Sequence, residues 1–308
     1  MSKTNPKHIM VMTGATSGIG AEALKHLIIQ PNTEIIIGAR GNREIPGAIV
    51  LPLDLRSLES VRSFAEAVKK RLNGAQIHML VLNAGAQFRS DQRSADGFEM
   101  TFAVNHLAHY LLARLLMPYL AEGGRLEITT SDTHGQWPLA PKTLDPDVLA
   151  HPAENFSAMR AYPASKLCNL LTARSFAALD AVKQRHITVI AYNPGLTGGT
   201  GLGGGSGSGG VGLAIMRPIL RFVSFFFLHQ LYVHTPEQSG EALAELVLGK
   251  VTPPEGRVYA SHVRNKITFP DPSKLAQSDE ARDRLWRESA IMVGLQTGLT
   301  EQNAGSPA

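Results

Sequence analysis

The run Tyr162-Pro163-Ala164-Ser165-Lys166 sets a phenol and an ammonium four positions apart. On a helix that spacing puts both groups on one face, aimed into the same site. An unperturbed phenol titrates near pH ~10 and is a sluggish acid or base at neutrality. A neighbouring cation favours tyrosinate and lowers that value, so the pair reads as proton-transfer machinery. Pro163 is accepted in a first helical turn, which places Tyr162 at a helix start. Ser131 closes the apolar run that ends Thr129-Thr130-Ser131, where its hydroxyl is positioned to donate to a substrate oxygen. Asn105 falls inside a long helical stretch, where asparagine is mildly unfavourable; its amide is suited to holding a water that links Lys166 to solvent.

A second constellation lies near the start of the chain. Thr13-Gly14-Ala15-Thr16-Ser17-Gly18-Ile19-Gly20 follows an apolar run and opens a helical one. Glycines at 14, 18 and 20 permit a sharp turn and a close approach of backbone to a pyrophosphate, with helix N-terminal amides to bind it. The spacing departs from G-x-G-x-x-G, so the strand–turn–helix setting carries the reading, and Thr16, Ser17 and Ile19 join the candidates. About twenty residues on, the next apolar run ends Gly38-Ala39-Arg40. An acid there serves ribose hydroxyls, whereas Arg40 offers a donor fork to a 2′-phosphate, with Arg43 in reach to assist. NADP(H) is therefore expected over NAD(H). Asp54, followed by Leu55, is a candidate acceptor for an adenine amino group, and Asn83-Ala84-Gly85 for backbone contact with the adenosine ribose. Taken singly, each of these is equally an ordinary turn.

The elements that must position these groups alternate as βαβ units. Strands are expected at Ile9–Thr13, Glu34–Gly38, Ile49–Leu53, Met79–Leu82, Leu126–Thr130, Ile187–Tyr192 and Val258–Ala260. Helices are expected over 20–30, around Val61, Phe64, Ala65, Val68 and Leu72, and over 98–120, 157–179 and 279–295. The fold class is α/β: one Rossmann-type domain over 1–308, a doubly wound parallel sheet with helices on both faces. Residues 133–160 read as a polar, Pro-rich surface insertion before Tyr162. Residues 198–212 are almost all Gly and Ser, and the run GGGSGSGG has a synthetic-linker composition, as fitting for a replaced loop as for a native one. The aromatic stretch that follows, within 213–240, reads as a lid over an apolar substrate.

Composition narrows the function. The chain has 308 residues, a net charge of +4 and 44% hydrophobic residues, enough for a large core. Basic residues are scattered, which argues against nucleic acid. The one cysteine, Cys168, excludes an internal disulfide, fits a reducing compartment and is placed in the core. No secretory signal precedes the first strand, and arginines interrupt the apolar stretch 211–233, so no spanning segment is expected. The expected location is cytoplasmic, with or without peripheral membrane attachment. His106 and His109 lack a third ligand at zinc spacing, so no metal is expected and both are assigned to helix packing or the surface. His134 is a candidate for the substrate side.

Together these motifs resemble the short-chain dehydrogenase/reductase family over nearly the whole chain. Residues 13–20 match T-G-x-x-x-G-x-G, Asn83–Gly85 match N-A-G, Tyr162–Lys166 match Y-x-x-S-K, and Asn105, Ser131 and Pro194-Gly195 fall in place. ADGFE, VNHLAHYLL, the long gap from Ser131 to Tyr162 and the tail around Leu285-Trp286 resemble the retinol dehydrogenase and protochlorophyllide reductase branch. The resemblance implies Tyr162 as general acid/base, Lys166 orienting the nicotinamide ribose and lowering the Tyr162 pKa, Ser131 polarising a carbonyl and Asn105 completing a proton relay. Where the family often has Thr, this chain has Gly199, which leaves Thr197 or Thr200 to contact the carboxamide. The implied activity is carbonyl reduction or alcohol oxidation on a hydrophobic small molecule. C=C reduction and a non-catalytic NADP(H) sensor or scaffold stand as alternatives. A monomer is expected over a tetramer, because the insertion would obstruct helix-to-helix pairing beside Tyr162.

Overall fold

The computed structural model describes residues 8–41, 43–135, 140–152, 156–199 and 232–296. Its centre is an eight-stranded sheet in the order β3-β2-β1-β4-β5-β6-β7-β8. The strands are β1 His8–Thr13, β2 Thr33–Ala39, β3 Ile49–Pro52, β4 Ile77–Leu82, β5 Leu120–Thr129, β6 Thr188–Asn193, β7 Tyr259–Val263 and β8 Lys266–Thr268. All neighbours pair in parallel except β7 with β8. The order reverses between β1 and β4, and ligands of open α/β sheets bind beyond the strand carboxyl ends at such a point.

Both faces of the sheet are covered. On one, Val11, Ile36, Leu80, Leu126 and Ile128 pack with helix α2, Leu58–Leu72, and with α4, Ala108–Leu116, and α6, Ala158–Ala178. The predicted stripe of α2, Val61, Phe64, Ala65, Val68 and Leu72, is buried there. Ser57 caps that helix through Ser60 N, and Asn73 ends it at φ 44°. On the other face, Met10, Met12, Val81, Ile190 and Tyr192 meet α1, Gly18–Leu27, and α8, Pro236–Val247.

Several expectations need correction. The helix predicted over 98–120 is composite: α3, Met100–Phe102, a π-helical turn at Ala103–Leu107, α4, and a 3-10 turn at Met117–Tyr119. Strand β5 begins at Leu120 rather than Leu126. Ile77 pairs with Leu120 and Met79 with Arg125, so residues 121–124 bulge around Gly123 at φ 68°. The 133–160 insertion is not wholly a surface loop. It contains α5, Pro146–Ala150, and Leu144 and Ala150 join the main core. Helix α6 starts at Ala158, so Pro163 sits beyond the first turn. The carbonyl left without a partner by the proline belongs to Met159, which is 66% exposed to water.

Most of the Gly-rich loop and the aromatic stretch of the expected lid lie outside the described residues. The end of the lid range, 236–240, lies in α8, which opens with a Thr235–Gln238 capping box and packs on α1. The remaining α-helices among the described residues are α7, Asp180–Gln184, α9, Lys274–Gln277, and α10, Asp279–Met292. Helix α10 covers α4 and α6. Trp286 packs edge-on against Tyr110 and Phe176, and the Tyr110 hydroxyl donates to the Trp286 carbonyl at 3.0 Å. No helix among the described residues is long and apolar enough to cross a membrane.

Candidate active site

A cleft of about 440 Å³ opens at the carboxyl ends of the parallel strands. Gly14, Thr16, Ser17, Gly18, Ile19 and Gly20 form one wall. The glycines there have steric causes. A Cβ on Gly14, at φ 70°, would stand 2.6 Å from the Ala84 backbone, and one on Gly20 would stand 2.1 Å from the Gly14 carbonyl. Ser17 precedes α1 without a side-chain capping bond, so its side chain leaves the first-turn amides to an anion. Asn83 Nδ2 donates to Gly14 O at 3.2 Å, and Ala84 N donates to Thr13 Oγ1 at 3.2 Å. The two turns are thereby locked together.

At one end of the cleft Arg40 follows β2, with Asp54 and Leu55 after β3. The Asp54 carboxylate is gripped by Arg56, whose Nε and Nη2 donate at 3.0 and 2.6 Å. That hydrogen bond holds the Asp54 pKa below its usual value, with the Arg56 and Arg40 charges adding to it. Arg56 is not among the residues singled out in the sequence, and it makes Asp54 one half of an ion pair. Arg43 is absent from the cleft lining.

At the other end Asn83, Ala84, Gly85, Tyr162, Lys166 and Pro194 converge. The Lys166 ammonium is 2% exposed and donates to Thr129 O at 3.1 Å; its Nζ is 5.8 Å from the Tyr162 ring centre. Burial lowers the Lys166 pKa to about 8, against a raising effect from Glu127. A Cβ on Gly85 would stand 3.1 Å from Lys166 Nζ, so a side chain there would crowd the ammonium. Tyr162 corrects an expectation. Removal from water pushes its phenol up to about 12, the Asp132 charge adds to this, and a hydrogen bond with Ser131 opposes it. Desolvation is the largest effect on this phenol.

Ser131 sits just past β5, and its Oγ accepts from Thr133 N at 3.3 Å and from Thr133 Oγ1 at 3.2 Å. Asn105 lies in the π-helical turn, a feature frequent at functional sites. Its Oδ1 accepts from Ala86 N at 2.8 Å, and its Nδ2 donates to Ala86 O and to Ser165 Oγ. The amide thus clamps the 85–86 turn to α6, a structural task beyond the expected water. Gly195 and Thr197 lie just beyond the lining. Gly195 N donates to Asn193 Oδ1 at 3.0 Å, and Thr197 Oγ1 is 2.8 Å from Ser239 Oγ. Thr200 lies outside the described residues.

His134 does not face the substrate side. Its Nδ1 is 2.6 Å from Ser131 O, and its Nε2 accepts from Ser273 N at 3.4 Å. His106 and His109 are buried, bonded to Ser289 Oγ and Thr13 Oγ1, and no metal-ligating group of three occurs among the described residues. Cys168 is fully buried. Residues missed in the sequence include Gln87, Phe88, Val104 and Thr129, all on the lining. Only their proximity to Asn83–Gly85, Asn105 and Ser131 hinted at them.

Comparison with known proteins fits this geometry. The short chain dehydrogenase family pattern matches residues 8–140. Protochlorophyllide reductase A of Oryza sativa subsp. japonica is 30% identical over 331 aligned positions, covering 95% of this chain and 82% of the relative. The WW domain-containing oxidoreductase of Drosophila melanogaster is 29% identical over 298, covering 92% and 68%. A short chain dehydrogenase from Burkholderia cenocepacia J2315, crystallised with NADP, shares the fold at a TM-score of 0.55 and 21% identity, covering 78% of this chain and 90% of that one. With the glycine turn, Asn83–Gly85 and Tyr162–Lys166 assembled at one cleft, this chain belongs to the short-chain dehydrogenase/reductase family, in its protochlorophyllide reductase-like branch.

Proposed function

We propose that this oxidoreductase uses NADP(H) to interconvert a carbonyl and an alcohol on a hydrophobic small molecule. The observation that carries the reading is the convergence of Tyr162 and Lys166 at one end of a cleft whose other end presents Arg40, with Ser131 behind the lining and hydrogen-bonded to Tyr162. The residues fit the cofactor: a turn that admits no Cβ, first-turn amides without a side-chain cap, and a guanidinium where a 2′-phosphate would lie. When bound, nicotinamide supplies or accepts the hydride. The chain's residues handle the proton. Tyr162, whose phenol is held protonated at neutrality, donates to the carbonyl oxygen in the reductive direction. Ser131 hydrogen-bonds the same oxygen, and Lys166 holds the ribose and the positive charge beside the phenol.

The similarity to protochlorophyllide reductase supports a second reading, reduction of a C=C bond by the same site. NADPH oxidation against a panel of aldehydes, ketones and enones separates the two, with Tyr162→Phe as control. Turnover of ketones or aldehydes supports the first reading and turnover of enones alone the second. NADPH binding without turnover of any class would support a sensor instead.

A further inference from the structure

Glu127 is a carboxyl on a central strand, 1% exposed, that the reaction above does not use. Its strand neighbours Leu126 and Ile128 face the α2/α4/α6 side, so Glu127 and Thr129 point to the opposite face. There its cross-strand partners are Val81 and Ile190, and the covering helices bring Ala23, Leu24, Ala242 and Leu243. The titratable groups that feel its charge are Lys166 from α6 and Tyr192 from β6. The Tyr192 hydroxyl is already committed to Ser239 O at 2.8 Å.

Three oxygens then stand in a row. Glu127 Oε1 lies 2.9 Å from Thr129 Oγ1, which lies 3.2 Å from Asn83 Oδ1. The amide of Asn83 cannot turn its nitrogen toward Thr129, because Nδ2 donates to Gly14 O at 3.2 Å and a flip would set two carbonyl oxygens together. Two O···O contacts need two protons, and the threonine hydroxyl has one. A protonated Glu127 supplies the other. The carboxyl then donates to Thr129, Thr129 donates to Asn83, and Asn83 donates to the glycine turn. An ionised Glu127 would draw the threonine proton to itself and leave Asn83 Oδ1 facing a bare oxygen lone pair.

We propose that Glu127 is a positioning residue, held as the neutral acid, whose proton sets the Asn83 and Gly14 turns for the cofactor and whose ionisation loosens them. Burial supports this, since it raises the carboxyl to about 8, and Glu127 Oε2 has no partner among the described residues to stabilise a charge. The inference rests on the reading that these turns cradle NADP(H), but the protonation of Glu127 is testable without it.

Infrared difference spectra of wild type minus Glu127→Gln at pH 7, with no cofactor added, should show a protonated carboxyl C=O band. A carboxylate signal in its place would overturn the proposal. NADPH affinity, followed by fluorescence titration between pH 6.5 and about 9, gives the second reading. Wild type should weaken as pH passes about 8. Glu127→Gln keeps a donor for Thr129, so it should match wild type within about twofold at pH 7 and lose less affinity at alkaline pH. Any loss it retains belongs to Lys166, and the difference between the curves belongs to Glu127. Glu127→Val should bind NADPH roughly tenfold more weakly at pH 7, and Thr129→Val should do the same by removing the middle link. If Gln and Val weaken binding equally, with parallel pH curves, the side chain only fills space and the proposal falls. A wild-type chain that binds no NADPH at any pH would refute the cofactor reading, while the infrared band would still decide the state of Glu127.

Discussion

Lys166 presses its ammonium against the carbonyl oxygen of Thr129, 3.1 Å away, and stands 5.8 Å from the centre of the Tyr162 ring. The backbone of β5 therefore places the cation, and the cation is placed for the phenol. Thr130 Oγ1 donates to Lys166 O at 2.6 Å, so helix and strand are tied at this point from both sides. The placement of Lys166 depends on the end of β5 as much as on α6.

Replacing Tyr162 by Phe removes the hydroxyl proton and its hydrogen bond with Ser131 while keeping the ring. Turnover should fall by ~10²–10⁴-fold while NADPH affinity stays within a few-fold of wild type. Steady-state rates with a cofactor titration check this. Retention of more than about a tenth of the rate would remove Tyr162 from the role of acid.

Arg40 should set the cofactor preference. A charge-assisted bond to a 2′-phosphate contributes roughly 1.5–3 kcal/mol, so NADPH should bind about tenfold or more tightly than NADH. In Arg40→Ala the two affinities should approach each other, mainly through weaker NADPH binding. Equal affinities in wild type would sink the assignment.

His106 and His109 are buried neutral, with pKa values pushed down to about 3 and about 4 from 6.5, chiefly by desolvation. Below pH 6.5 the unfolded chain takes up protons that the native state refuses, so stability is full above that value and falls as pH drops toward 4. Each imidazole should contribute on the order of 2 kcal/mol to the loss between pH ~7 and ~5. Urea unfolding at the two values measures it. His106→Gln, whose amide can still reach Ser289, should lose less, and an equal loss would contradict the burial argument.

The face that α4 and α6 would offer to another subunit is occupied by the chain's own C-terminal helix. Trp286 is 2% exposed, and the Arg114 guanidinium lies 4.6 Å above its indole while bonding to Tyr110. Trp286→Ala should cost about 3–5 kcal/mol in unfolding measurements. Light scattering of the wild type should report a mass near 33.2 kDa. A mass near four times that value would show that another face pairs.

Local signals were readable before any fold was known. Gly14, Gly18 and Gly20, Asn83–Gly85 and Tyr162–Lys166 are short patterns whose chemistry is written in adjacent residues. The structure brings them to one cleft. Effects that depend on long-range packing were not readable. Nothing near Tyr162 announces that desolvation and Asp132 together raise its phenol. Nothing near Asp54 marks Arg56 as its clamp rather than a surface cation. Trp286 stands out in the sequence only as part of a tail motif, and the fold shows it packed against Tyr110 of α4.

At Gly240 the absence of a side chain governs a distance that matters elsewhere. A Cβ there would stand 2.5 Å from Glu22 Cβ, 2.7 Å from Ala23 N and 2.9 Å from Ile19 O. All three belong to the helix whose first turn faces the cleft. One added methyl would pry α8 off α1 and tilt those amides, so a residue outside the cleft lining acts as the shim that sets their aim. The position of that first turn is thereby joined to the segment that re-enters the sheet at β7.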